Sequence, residues 1–304
     1  MQKKIKYLGL LLIGLTLSCS EEVETVSVKQ AGFISNGLNQ EIKSYWYNGQ
    51  AEISSYRLKQ ARYGEMREGE AVCVFVSEPF SPKSMTKADR VSNDNISVLK
   101  CNFTKRFNTG IYPYSLMTST FFPFENGSNS LKTSHSMQEW CGHVYMELDN
   151  LVKPELKVYS YFEGENQRTK LETKNLEDDL WSQIRINPNG IQQGEMKMLP
   201  SLAYLRFSHA AVKAYSCNIN LKKQKDKSIL TANYKELGRT LKIEFESAFP
   251  HKILGWEESY YSGFGSNRKL LSSSGELIKT IRSDYWNKHD NIHEGLRDTL
   301  GLKL

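Results

Sequence analysis

From residue 42 onward, apolar and polar side chains alternate through much of the chain. Leu99, Cys101 and Phe103 interleave with Lys100, Asn102 and Thr104. Leu131, Thr133, His135 and Met137 do the same with Lys132, Ser134, Ser136 and Gln138, and Leu156, Val158, Ser160 and Phe162 continue the pattern. A two-residue period puts successive side chains on opposite faces of a strand, so these stretches predict strands with one wet face. Residues 71–77 are nearly all apolar, which predicts a strand covered on both faces. Asn48-Gly49, between residues 42–47 and 50–59, has the chemistry of a type I′ hairpin turn. Residues 81–95 read as a polar loop, and Asn108-Thr109-Gly110 turns the chain into an aromatic segment. Beyond Pro200, strands are predicted over residues 213–221, 228–234, 241–246, 252–261 and 269–280.

Helical spacing occurs twice. Leu176, Leu180, Trp181 and Ile184 fall on one face, with Asn175 as the expected cap and Asn187-Pro188-Asn189-Gly190 as the stop. Near the C-terminus, Ile292, Leu296 and Leu300 recur at four-residue steps, and Asn291 and Glu294 have capping-box spacing. This order of elements lacks the βαβ alternation of a parallel nucleotide-binding sheet. The expected fold is mainly β, a β-rich α+β arrangement of antiparallel curved sheets or a sandwich, with a few short helices including a C-terminal one. Residues 41–304 form that body. They make either one continuous unit or two lobes, about 41–165 and 195–304. No internal repeat is visible.

The N-terminus has a different character. Lys3, Lys4 and Lys6 precede an apolar run over residues 8–17 that is too short to span a bilayer, which needs about 20 residues. The run fits a secretory signal. Leu15-Thr16-Leu17-Ser18-Cys19 resembles a bacterial lipobox, which implies a signal peptide over residues 1–18 and lipidation, such as palmitate, on Cys19. Residues 19–40 then read as the lipidated cysteine and a flexible tether. Ser20-Glu21-Glu22-Val23-Glu24 lacks an aspartate retention signal and looks like the acidic export tag of Bacteroidota surface lipoproteins. The expected location is the outer membrane, with the protein lipid-anchored on the periplasmic side or the cell surface.

Charge narrows the partners. Loss of residues 1–18 removes three lysines and lowers the formal charge from +6 to +3, too little to argue for nucleic acid. Cys73, Cys101, Cys141 and Cys217 remain beside Cys19. Two disulfides are permitted in an oxidising compartment, but irregular spacing within strand patterns favours buried free thiols. No CxxC pair, Gly-x-Ser-x-Gly elbow or complete dinucleotide-binding glycine motif occurs, and no cofactor is implied.

Two stretches carry candidate chemistry. If residues 140–148 form a strand, Val144, Met146 and Leu148 share one face, and Cys141, His143, Tyr145 and Glu147 the other. Cys141 then reads as a candidate nucleophile, with His143 or His135 as base and Glu139 or Glu147 as orienter. Same-face neighbours about 7 Å apart suit two ligands of one metal better than a direct thiol–imidazole bond. The bland alternative is that both side chains merely pack on a tyrosine-rich face. The second stretch, residues 111–124, supplies Tyr112, Tyr114, Phe121 and Phe122. With Trp140 and Tyr145 these are the expected walls of an apolar cavity, or else core filling.

Several stretches also carry a resemblance. They are Tyr45-Trp46-Tyr47, residues 60–65 (QARYGE), 109–115 (TGIYPYS), 138–145 (QEWCGHVY), 181–188 (WSQIRINP) and 283–287 (SDYWN). With them the chain resembles a family of predicted Bacteroidota lipoproteins of unassigned function, often labelled septum formation inhibitor Maf. True Maf proteins resemble cytoplasmic α/β nucleotide pyrophosphatases, whereas this chain has an export signal and a β-rich pattern. The resemblance implies an envelope location and no reaction. The leading expectation is a non-enzymatic outer-membrane lipoprotein that binds an apolar or glycan-like ligand or a partner protein. The alternative is an envelope hydrolase or metalloprotein centred on Cys141 and His143.

Overall fold

Residues 39–125 and 129–303 are described by a computed structural model. The expected signal peptide, lipidated Cys19 and tether, up to residue 38, lie outside the described residues. Alternation becomes one long antiparallel meander. The chain starts in the middle of the sheet with β1 (Ala51–Arg62) and β2 (Glu65–Ser81), onto whose end the short β3 (Thr86–Lys87) folds. It runs outward through β4 (Ile96–Thr109), β5 (Tyr112–Pro123), β6 (Lys132–Glu139), β7 (Gly142–Asp149), β8 (Glu155–Ser160) and β9 (Gln167–Lys170), the first edge. Residues 171–193 cross to the other edge, β10 (Gly194–Met198). The chain then returns through β11 (Tyr215–Lys223), β12 (Lys227–Tyr234), β13 (Arg239–Glu246), β14 (Ile253–Ser262) and β15 (Lys269–Ser283), which pairs with β1. Both halves on either side of residues 165–200 therefore share one fifteen-stranded sheet. The mainly β, antiparallel, curved expectation holds, with short helices and a C-terminal one.

The crossing segment is what the sheet rolls around. A 3-10 turn (Glu177–Asp179) leads into α2 (Leu180–Ile186), whose Leu180, Trp181 and Ile184 are buried. Trp181 meets Phe103 of β4 and Trp256 of β14 at ring centroid distances of 4.7 and 5.6 Å, and those two rings lie 5.0 Å apart. Strands four places apart in the sheet touch, so the curvature is strong. Trp256 lies over Gly275 on β15, where a Cβ would sit 2.0 Å from the indole. Only glycine fits there.

Both faces of residues 71–77 are indeed covered. Ala71, Cys73 and Phe75 face the main core, and Val72, Val74 and Val76 pack outside with Ala51, Ile53, Leu300 and Leu302. That outer cover follows α4 (Gly295–Thr299).

Four local expectations need correction. The stretch before Asn48-Gly49 is not a strand but the helix α1 (Gln40–Trp46), capped by the Asn39 side chain, which accepts from Glu41 N. Ile42, Tyr45 and Trp46 also stand at helical spacing, and burial of Trp46 decides between the two periods. Asn175 does not cap the crossing helix; its amide donates to the Lys197 carbonyl. The C-terminal capping box does not form, and Ile292 and Leu296 stay exposed. Finally, α3 (Leu202–Ser208), capped by Ser201, was not foreseen, although Ser201 is a cap residue just before two buried leucines.

Candidate functional site

The predicted strand over residues 140–148 starts at Gly142, and Trp140 and Cys141 form the hairpin turn instead. Val144, Met146 and Leu148 do point inward, and His143 and Tyr145 outward. Cys141 is exposed, not embedded in an apolar strand, while Cys73, Cys101 and Cys217 are buried free thiols. The Glu139 carboxylate accepts from Cys141 N at 2.6 Å and pushes the thiol pKa up, the wrong direction for a nucleophile. His143 Nε2 meets Gln138 Oε1 at 3.2 Å. His135 faces the interior, and Glu147 pairs with Lys132 at 2.9 Å. Among the described residues no group of three or more His, Cys, Asp or Glu could hold a metal ion.

The expected aromatic wall is divided. Tyr112 sits beside Trp140 at 6.4 Å between ring centroids, at one end of the roll, and Trp140 is 68% exposed. Tyr114 is buried, stacked on Phe107, and shares its hydroxyl with Tyr63 and Arg62. Phe121 packs on Phe80, and Tyr145 lies near Tyr159 and donates to Glu147. Phe122 alone of the six lines a pocket beside α2. The alternation of β5 separates Phe121 from Phe122, because neighbours in a strand take opposite faces.

The interior carries charge that the alternation pattern did not announce. Three consecutive acids of the crossing segment are each tied to a different part of the wall. Glu177 pairs with Arg239 of β13, which also binds Glu258 of β14 at 2.7 Å. Asp178 accepts from Leu202 N at the start of α3, and Asp179 from Ser130 N, both at 3.0 Å. Lys105, His135, Asp178 and Glu258 line a cavity of about 30 Å³ among Phe103, Trp181 and Trp256. Burial lowers the Lys105 pKa. Burial, then Lys105 and Arg206, takes His135 down to about 3.

These groups predict opposed pH dependences. Burial raises Asp178 and Asp179 from an ordinary 3.8 to about 7. Their folded values exceed their unfolded ones, so their stabilisation is complete below about pH 4 and is lost as pH rises through about 7. His135 is depressed, so its contribution is complete above its ordinary 6.5 and is lost as pH falls toward 3. Asp179→Asn keeps an acceptor for Ser130 N. Relative to the parent, it should gain stability at pH 8, with the gain shrinking toward pH 4. Urea unfolding at several pH values checks this; a difference that does not vary with pH refutes it.

Beside α2, at the end of the roll nearer α1, lies a pocket of about 340 Å³. Its walls include Phe122, Leu176, Leu180, Ile191, Met198 and Ile219, all buried. Asn129, Asn175, Gln183, Asn187 and Gln192 also line it, and none of its described lining residues is charged. Sequence reasoning missed it because its walls come from four separate stretches. The helix stop at Asn187-Pro188-Asn189-Gly190, amide-rich beside an apolar helix, was the one local signal.

No protein-family model matches the chain. No curated protein matches it. Among solved structures, it is similar to a beta-barrel-like protein of the domain of unknown function DUF1849 from Brucella abortus. The two share 11% identity at a TM-score of 0.45, over 77% of this chain and 97% of that one.

Proposed function

We propose that this chain is a lipid-anchored, non-enzymatic binding protein of the outer membrane, and that the pocket beside α2 takes an apolar ligand with an uncharged polar head. The supporting observation is the pocket itself: buried aliphatic walls, an amide rim and no charged lining residue. Its volume falls in the range of small-molecule sites. Phe122 is its single aromatic lining residue, a poor stacking platform for a sugar ring, which favours the apolar over the glycan-like ligand. The basic start, apolar run and lipobox-like Cys19 support the anchor. A hydrolase or metalloprotein centred on Cys141 and His143 is the weaker reading, given the raised thiol pKa and the Glu139 carboxylate beside it.

Two measurements test this. The full-length chain should incorporate labelled palmitate, and Cys19→Ser should not; an unlabelled parent removes the anchor. Native mass spectrometry of the Cys19→Ser chain should find a co-purified neutral amphiphile that Ile186→Trp, placed in the pocket, loses. Equal occupancy in both chains removes the pocket.

A further inference from the structure

At the opposite end of the roll, a second cavity of about 400 Å³ lies between β7, β8 and the segment that follows α3. Its floor is apolar, with Val144, Met146 and Val158 from the strands and Leu205 from α3. Unlike the pocket beside α2, it carries charge, on Arg206 and Glu165, beside the imidazole of His209, whose pKa burial and then Arg206 lower.

The charges do not balance. Arg206 is 8% exposed, lies 5.0 Å over the Phe162 ring and donates from Nη1 to Glu165 Oε1 at 3.1 Å. Its Nε is buried with no hydrogen-bond partner among the described residues. The same Glu165 oxygen faces His209 Nδ1 at 3.4 Å. Arg62, 5% exposed, donates to the carbonyl of the next residue, Phe207, at 3.1 Å, and otherwise to the hydroxyls of Tyr63 and Tyr114. Arg62 does not line the cavity, but its charge acts on Arg206, whose one carboxylate partner among the described residues is Glu165. A buried charge is unfavourable unless paired, and the guanidinium fork matches a carboxylate or phosphate. His209 ends α3 at φ +52°, a left-handed position more often given to glycine.

We propose that this cavity is a second site, for a single-chain anionic amphiphile, with its carboxylate or phosphate head on Arg206 and His209 and its chain along Val144, Met146 and Val158. Such a ligand supplies the missing negative charge and covers the apolar floor in one step. It is independent of the neutral pocket beside α2, from which it differs in chemistry and in place.

Displacement of dansyl-undecanoate from the full-length Cys19→Ser chain tests it. Dodecanoate and dodecyl phosphate should displace the probe, dodecanol much less and acetate not at all. Arg206→Gln should weaken dodecanoate about tenfold, the loss of one charge-assisted contact, and leave dodecanol unchanged. Arg206→Gln removes a buried charge and endangers the fold, so His209→Gln is the second variant. Its side chain is 41% exposed, and it should keep the parent's near-ultraviolet spectrum while binding dodecanoate more weakly. Val158→Trp should abolish displacement by every amphiphile, whereas Ile186→Trp should not alter it. Dodecanoate binding unchanged in both Arg206→Gln and His209→Gln overturns the proposal. So does binding to phosphatidylglycerol vesicles without dodecanoate displacement, which would make the headgroup surface the ligand. Loss of the co-purified neutral ligand in Ile186→Trp bears only on the pocket beside α2.

Discussion

Glu52→Ala is expected to destabilise the protein by about 3–5 kcal/mol, the penalty for stranding a buried guanidinium. Arg185 on α2 and Glu52 on β1 have side chains 1% and 0% exposed. Both Arg185 terminal nitrogens bond the carboxylate, Nη2 to Oε2 at 2.7 Å. Arg185 Nε donates to the Pro250 carbonyl at 2.9 Å, and its guanidinium lies over Trp46 and Phe75 at 5.1 and 5.0 Å. The Tyr45 hydroxyl adds a further bond to Glu52. Burial alone would raise the Glu52 pKa; Arg185 outweighs it and holds the carboxyl below its usual range. The pair is therefore ionised, and its contribution fades as pH falls through that depressed value. An exposed pair would contribute only about 0–1 kcal/mol. The double variant Glu52→Leu/Arg185→Met should recover most of the loss, because it leaves no unpaired charge. Urea unfolding followed by tryptophan fluorescence measures all three chains. A single variant within about 1 kcal/mol of the parent would mean that water reaches this pair.

Trp181→Ala should cost a similar amount, about 3–5 kcal/mol, for a different reason. Trp181 is 7% exposed and contacts Phe103 and Trp256 edge-on. Removing the indole opens a void between the crossing helix and two strands whose positions are set by their own neighbours. Trp256 has little room to follow, since it lies against Gly275 and meets Tyr56 at 5.0 Å. Trp181→Phe should lose much less, because the ring stack persists. If Trp181→Ala lost under about 1 kcal/mol, α2 would be a passenger in the roll and not its core.

Strand positions were readable because alternation is local. The period of β7 appears within eight residues, and its inward face, Val144, Met146 and Leu148, is the apolar one; β6 and β13 keep the same period but turn His135 and Arg239 inward. Where two periods coincide, as at Ile42, Tyr45 and Trp46, the local signal was ambiguous and burial of Trp46 resolved it. The candidate sites were harder to read. Arg206 and Glu165 are 41 residues apart, and Arg239 and Glu177 are 62 apart. Each of these residues alone looks like any solvated charge on a strand, helix or loop.

From its sequence alone the protein was legible as an antiparallel, β-rich chain with a helix near residue 180 and a short helix near the C-terminus, since side-chain period is a property of neighbours. Pairing of β1 with β15, Ala51 against Ser283, was decided only by the folded chain. So were the rolling of one sheet around the crossing segment and the gathering of acids, arginines and His135 inside it. These depend on which distant surfaces bury each other, and burial energy is shared among residues that no short window contains.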